Sequence, residues 1–139
     1  MKHKKSDNFE TKSVSSSLVR FAIDFKPEFV SDEVKQIAQL SLFDWFVVSL
    51  AGQTEPVSNI IRGQIKSDGG AEDCTVIGTT QRFPARASAL ANGTTSHALD
   101  YDDTHFAYLG HPSVAIIPAA IAIGEKTNAK PENFWNAVI

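Results

Sequence analysis

The chain has 139 residues, of which 42% are hydrophobic and 21% are charged, and its formal net charge is −3. This balance is that of a globular protein with one core, and the slight negative charge gives no indication of nucleic acid or an anionic membrane surface as the main partner. The single cysteine excludes a disulfide framework within the chain and favours a reducing, cytoplasmic setting.

Residues 1–13 are expected to form a disordered lead-in, because the segment is polar. It lacks the apolar stretch of a secretory signal, and its two acidic residues argue against a mitochondrial transit peptide. No stretch of the sequence reaches the roughly 18 apolar residues that a membrane span needs. Residues 14–139 are therefore predicted to form the folded part, with no membrane partner.

The first half of this part shows apolar residues at helical spacing and predicts three helices. Serines can cap the first, and Ser31, followed by two acidic residues, is a typical start for the second. The second half of the second helix is so apolar that we expect it to be buried on most sides. The predicted bounds are 15–26, 31–50 and 55–66.

The segment Cys74–Ile77 is the only convincing strand, and its apolar character predicts a buried, unreactive cysteine. A helix rich in small residues begins after Phe83 and is predicted to lie sandwiched between other helices and to continue to Asp100. The predicted fold class is therefore all-α, with at most one short strand near Cys74–Ile77.

Two more helices are predicted near the end of the chain. Pro112 opens the first of them, and Pro118 within it implies a kink or a broken first turn. Pro131 opens the second, which stops at Ile139 in apolar residues without a cap. We therefore expect the chain to be the front piece of a longer protein.

The stretch HALDYDDTHFAYLGHPS, residues 97–113, holds three of the four histidines and three aspartates. Such density is compatible with a solvated loop or with a metal site, although the ligand spacing is unspecific for any metal. The letters DYDDT also fit the Asp-x-Asp-x-Thr pattern of haloacid-dehalogenase-type phosphotransferases. In that family an apolar strand precedes the first aspartate, and here a small, polar helical segment does, so this match is attributed to chance.

A fourth interpretation is an acid–base site for a carboxylate substrate. If the helix persists, His97, Asp100 and Thr104 share one face. His111 is expected at a helix N-cap, where free N–H groups receive an anion and the dipole keeps the imidazole neutral and able to accept a proton. Asp100 could then orient this imidazole, and Thr104 could hydrogen-bond a substrate oxygen.

The stretch RASALANGTTSHALDYDDTHFAYLGHPSVAIIPAAIAIGEK resembles the MmgE/PrpD family, whose signature is ANG…H-x-x-D-[FY]-D-D-T…HPS followed by an apolar helix. The segments TVIGTT and FDWFVVSLAG are also similar to that family, so the likeness covers residues 15–139. The resemblance implies a large helical domain, a smaller α+β lid domain with the active site between them, and a homodimer. It implies a cofactor-free enzyme, without a metal, that acts next to a carboxylate of a di- or tricarboxylate such as 2-methylcitrate or cis-aconitate.

Matched to the family motif, Asp100 and His111 are the implied catalytic residues, and Thr104 is an implied substrate-binding residue. Ser113 of the HPS motif and His97, which could support the Asp100 carboxylate, are further candidates for substrate binding. His105 and Tyr108 are expected to be structural or surface residues. Asp102 and Asp103 are expected to accept backbone hydrogen bonds and hold the turn.

The residues present do not separate dehydration, decarboxylation and epimerisation, which all alter charge next to a carboxylate. Family members also use a later histidine, lysines and other polar residues that have no counterpart in these 139 residues. The chain alone is therefore expected to be inactive. The alternative to a lyase is a non-catalytic truncated fragment or interaction module of the same family.

Overall fold

The structure is a computed structural model that describes residues 13–107 and 109–139. The chain forms two compact units, one up to Val30 and one from Ser31 to Ile139. The predicted lead-in lies outside the described residues except for Ser13, and Tyr108 also lies outside them.

The first unit contains helix α1 (Val14–Asp24) and a short 3-10 helix (Pro27–Phe29). The N-cap of α1 is Ser13, whose Oγ accepts a hydrogen bond from the backbone N–H of Ser16 at 3.2 Å. The helix thus begins slightly before its predicted start, because Ser13 rather than the following serines satisfies the free N–H groups of the first turn.

The second unit begins with helices α2 (Asp32–Gly52) and α3 (Pro56–Asp68). As predicted, Ser31 caps α2, its Oγ accepting from the N–H of Val34 at 3.3 Å. The prediction that α2 is buried on most sides is wrong for the described residues, because its neighbours cover one face only. Trp45 is 2% exposed on that face, whereas Phe43 is 67% exposed.

Two two-residue strands, β1 (Cys74–Thr75) and β2 (Arg82–Phe83), pair antiparallel. The sequence indicated the first strand but not the second, since two residues are too few to show an alternating pattern. Cys74 is buried as predicted, and its thiol donates to the Ala122 carbonyl at 3.1 Å. Burial, reinforced by nearby negative charges, above all that of Glu125, raises the pKa of this thiol.

Helix α4 (Ala85–Ser96) is the sandwiched helix that its small residues predicted. It packs against α2, α3 and helix α5 (Ser113–Thr127). A Cβ on Gly93 would lie 3.0 Å from the Val114 carbonyl oxygen, and one on Gly52 would collide with the Thr95 carbonyl oxygen. Glycine is therefore what allows the backbones of α2 and α5 to approach α4 so closely.

Asn92 fastens α4 to the first strand. Its Oδ1 accepts from the N–H of Ile77 at 2.9 Å, and its Nδ2 donates to the Thr75 carbonyl at 3.0 Å. Asn92 is only 3% exposed. Its buried amide therefore pairs with two partly buried backbone groups that the short sheet leaves unpaired.

Helix α5 continues through Pro118 as one helix, so the broken first turn did not form. Helix α6 (Pro131–Val138) begins at the predicted proline and packs against α5. The all-α fold class is confirmed: the described residues form six helices and one short two-stranded sheet. None of the helices in the described ranges is both long and apolar enough to cross a membrane.

Candidate active site

The loop between α4 and α5 carries the histidines and aspartates singled out from the sequence. Helix α4 ends at Ser96, and His97 is its C-cap, with its N–H donating to the Gly93 carbonyl. Asp100 follows in the left-handed region with φ 55°, which aspartate tolerates better than most residues. The helix does not persist through the loop, so the predicted helical face shared by His97, Asp100 and Thr104 is wrong. The loop brings the first two together by folding back.

Asp102 lies at the buried centre of this loop, with no exposed side-chain surface. Its Oδ1 lies 2.9 Å from Nδ1 of His97 and 3.3 Å from Nδ1 of His111. The backbone carbonyl of Asp102 also lies 3.2 Å from Nδ1 of His111. The two imidazole rings meet edge to face, with their centroids 4.8 Å apart. Asp102 therefore binds both histidines, His97 through its carboxylate and His111 through its backbone carbonyl, with the carboxylate also close to His111.

Asp100 lies on the opposite, exposed side of the two rings. Its Oδ1 is 3.8 Å from Nε2 of His97 and 3.7 Å from Nε2 of His111. The Asp100 side chain is 79% exposed, whereas that of His111 is 24% exposed. The four side chains thus form a polar cluster that runs from the buried Asp102 to the exposed Asp100, with both Nε2 atoms on the Asp100 side.

Asp103 and Ser113 join the loop to the start of α5. The Ser113 N–H donates to Oδ1 of Asp103 at 3.2 Å, and its hydroxyl donates to Oδ2 at 2.6 Å. Asp103 thus holds the turn as predicted. Ser113 is 5% exposed, and the N-cap of α5 is Pro112 rather than His111, which lies one residue earlier. The expected N-cap position of His111 is therefore wrong by one residue, because the Pro112 carbonyl accepts the first hydrogen bonds of the helix. The N–H of Ser113 is bound by Asp103 and is not free for an anion.

Thr104 is exposed in the loop, and none of the hydrogen bonds or ion pairs of the cluster described above involves it. The backbone N–H of His105 donates to the Gly110 carbonyl at 2.9 Å and closes the rest of the loop. The structure thus brings three sequence-predicted residues together, namely His97, Asp100 and His111.

The residue that sequence reasoning missed is Asp102. It was expected to bind backbone N–H groups, but its carboxylate holds the two imidazoles instead. Its spacing from the histidines, five residues on one side and nine on the other, matches neither helical nor strand periodicity. The sequence does show acidic residues inside a histidine-rich loop. That pattern does not indicate which of the three aspartates is buried.

Within the described ranges, His97, Asp102 and His111 form the group with donor atoms suited to a metal ion. One ligand atom of each lies within 4.8 Å of the others. Imidazole nitrogen and carboxylate oxygen are ordinary zinc ligands. However, both Nδ1 atoms face Oδ1 of Asp102 at hydrogen-bond distances. These three residues therefore suit either a metal ion or a hydrogen-bonded set in which Asp102 accepts from both imidazoles.

Residues 16–139 match the model of the MmgE/PrpD N-terminal domain. The chain belongs to the MmgE/PrpD family. The matched range agrees with residues 15–139, over which the sequence motifs resemble the family. It includes the whole loop that carries the histidines and aspartates.

Two curated relatives resemble this MmgE/PrpD chain. The cis-aconitate decarboxylase-like protein oryM of Aspergillus oryzae is 29% identical over 113 residues, which are 81% of this chain and 23% of that protein. The cis-aconitate decarboxylase of Homo sapiens is 28% identical over 122 residues, which are 87% of this chain and 25% of the human protein. The chain thus spans about a quarter of the length of these relatives.

Proposed function

We propose that this chain supplies one half of the active site of a cofactor-free lyase-type enzyme that acts next to a carboxylate of a di- or tricarboxylate. The observation that carries the proposal is the convergence of Nε2 of His97 and Nε2 of His111 on one exposed carboxylate oxygen of Asp100. Dehydration, decarboxylation and epimerisation all need a proton to be moved at a carbon beside a carboxylate. Imidazole is the side chain best suited to move it near neutral pH.

In this proposal His111 is the acid–base residue and Asp100 the carboxylate beside it. His111 is the less exposed of the two histidines, at 24% against 45% for His97. Partial burial shields it from water while its Nε2 still faces the open side of the cluster. Asp100, held in a left-handed turn, presents its carboxylate to the same point as both rings.

The charges of the cluster bear on where the substrate's own carboxylates bind. The contacts described for the cluster bring together two aspartates and two histidines, and no lysine or arginine. A polyanionic substrate needs cationic or N–H donors. We therefore propose that these donors come from the remainder of the full-length protein, and that Thr104 and Ser113 contribute hydroxyl contacts at most.

The names of the relatives favour cis-aconitate as the first substrate to test. The second is 2-methylcitrate, which the resemblance to the family implies. The proposal includes a homodimer, which the resemblance to the family implies. It also includes a cytoplasmic location, with which the free, buried Cys74 is compatible because it needs no oxidising compartment. Light scattering on the full-length protein tests the dimer, with a monomeric mass as the contrary result.

The test of the reaction uses the full-length protein in D₂O with cis-aconitate, 2-methylcitrate and, as a matched control, a monocarboxylate. Decarboxylation, epimerisation and the reverse of dehydration all place a solvent deuteron on the carbon next to a carboxylate. Proton NMR should show this deuterium in at least one di- or tricarboxylate and none in the control. If no di- or tricarboxylate incorporates deuterium, the interaction-module alternative replaces the lyase.

A further inference from the structure

The Asp102 carboxylate has a feature that folding alone does not account for. Its side chain has no exposed surface, and its Oδ2 is buried without a hydrogen-bond partner among the described residues. A buried acceptor without a partner is unfavourable, and such groups cluster at functional sites. Meanwhile its other oxygen, Oδ1, faces the Nδ1 atoms of both His97 and His111.

We infer that Asp102 is a positioning residue. Its carboxylate fixes the tautomer of His97, and its backbone carbonyl together with the carboxylate fixes that of His111, so that both rings present an unprotonated Nε2 to the same point beside Asp100. This inference rests on the proposed function for its catalytic meaning. The tautomers themselves are set by the contacts of Asp102 and can be measured without any turnover.

The hydrogen-bond partners determine the tautomers. An ionised carboxylate oxygen only accepts hydrogen bonds, so each ring nitrogen that faces it must carry the proton. This places N–H on Nδ1 of His97, at 2.9 Å, and on Nδ1 of His111, at 3.3 Å. The backbone carbonyl of Asp102, also an acceptor, lies 3.2 Å from the same Nδ1 of His111 and requires the same tautomer.

The consequence appears on the far side of the rings. A neutral imidazole has one N–H, so both Nε2 atoms carry a free lone pair. Both lie beside Oδ1 of Asp100, at 3.8 and 3.7 Å, and this oxygen is also an acceptor. Three proton acceptors therefore converge on one open point, and a proton taken from a substrate can be held between them.

The contacts also predict that the two histidines depend on Asp102 to different degrees. In the contacts described above, the Nδ1 of His97 faces the carboxylate of Asp102, whereas the Nδ1 of His111 faces both the carboxylate and the backbone carbonyl. Removing the carboxylate by Asp102→Ala should therefore release His97 to the Nε2–H tautomer that imidazoles prefer in water. His111 should keep Nδ1–H, because the backbone carbonyl remains.

The experiment is long-range ¹H–¹⁵N correlation NMR on the full-length protein labelled with ¹⁵N-histidine, at a pH where the ring signals have reached the neutral form. His97→Gln and His111→Gln assign the two signals by their loss. In the wild type both rings should show a protonated Nδ1 and an unprotonated Nε2. In Asp102→Ala the His97 pattern should invert and that of His111 should not, and Asp102→Asn, which keeps an acceptor oxygen, should restore the His97 pattern.

Asp103→Ala is the matched control, because Asp103 binds Ser113 rather than an imidazole. It should leave both tautomers unchanged. In a substrate assay, Asp102→Ala should lower kcat by about 10–100-fold, the usual effect of removing a residue that orients a functional imidazole, and should change KM much less.

The inference is overturned if either wild-type ring carries its proton on Nε2, a result that does not depend on whether any variant folds. It is also overturned if Asp102→Ala folds and leaves His97 unchanged, or if EDTA alters the wild-type signals, since the three side chains would then hold a metal. Absence of turnover with every carboxylate would overturn the proposed function instead, and the tautomer pattern would still decide the role of Asp102.

Discussion

The hydrogen bonds between Asp103 and Ser113 allow the stability of the loop to be predicted in some detail. The Asp103 carboxylate accepts from the Ser113 N–H at 3.2 Å and from its hydroxyl at 2.6 Å, both at the first residue of α5. In Asp103→Asn one oxygen still accepts the N–H, but the amide nitrogen that replaces the second oxygen cannot accept the hydroxyl. The substitution also removes a negative charge next to a helix N-terminus.

The expected loss can be estimated from these two changes. A hydrogen bond to a charged group contributes about 1.5–3 kcal/mol, and a negative charge near a helix N-terminus about 0.3–1 kcal/mol. Because the amide keeps one of the two bonds, and the hydroxyl can turn to accept from it, we expect Asp103→Asn to lower the free energy of unfolding by about 1–3 kcal/mol.

The assay is urea denaturation of the full-length protein followed by circular dichroism, with Asp68→Asn as the matched control. Asp68 is exposed at the end of α3, and its Oδ1 accepts from Gln64 at 2.8 Å, a bond that asparagine can keep. The control should change the free energy of unfolding by less than about 0.5 kcal/mol. An Asp103→Asn variant as stable as this control would refute the view that Asp103 holds the turn.

Three further predictions concern single residues. Asn92→Ala removes the side-chain partner of two partly buried backbone groups, the Ile77 N–H and the Thr75 carbonyl. It should therefore lower the free energy of unfolding by about 1–3 kcal/mol in denaturant, whereas Asn136→Ala at an exposed position of α6 should change it little. Asp100→Asn keeps a residue that tolerates the left-handed turn, so the melting temperature should be unchanged while kcat falls at least about 10-fold. A variant that melts at a clearly lower temperature and keeps its kcat would make Asp100 a structural residue. Because the folded state raises the pKa of Cys74, the protonated thiol stabilises the fold below the ordinary thiol pKa of 9.0, and this stability is lost as pH rises through the raised value. Between pH 8 and 11 the free energy of unfolding should therefore fall less steeply in Cys74→Ala than in the wild type. An identical pH dependence of the two proteins would contradict a raised pKa of Cys74.

The helices could be predicted because their signals are local. Ser31 with its acidic first turn, the small residues of α4 and the proline that opens α6 each determine structure within a few residues of themselves. The β2 strand could not be predicted, since its two residues form a strand only by pairing with β1. The one-sided burial of α2 depends on which helices pack against it, and periodicity does not contain that information.

The sequence predicted only part of the membership of the candidate site, and not its geometry. The predicted residues were His97, Asp100, Thr104, His111 and Ser113. The structure brings His97, Asp100 and His111 together, whereas Thr104 stays outside their contacts and Ser113 binds Asp103. The helical face that was expected to join them does not exist, because α4 ends at Ser96 and Asp100 turns into the left-handed region. The part played by Asp102 follows from contacts between residues five and nine positions apart in an irregular loop, which no sequence period describes.

The central claim is that this loop moves a proton next to a substrate carboxylate, and His111→Gln tests it most directly. Glutamine keeps a hydrogen-bonding side chain but cannot exchange a proton near neutral pH. The measurement is the rate of solvent deuterium incorporation into the substrate by the full-length protein. We expect the rate at saturating substrate to fall by about 10²–10⁴-fold, with KM and the melting temperature much less affected. A correctly folded His111→Gln variant that incorporates deuterium at the wild-type rate would contradict the claim.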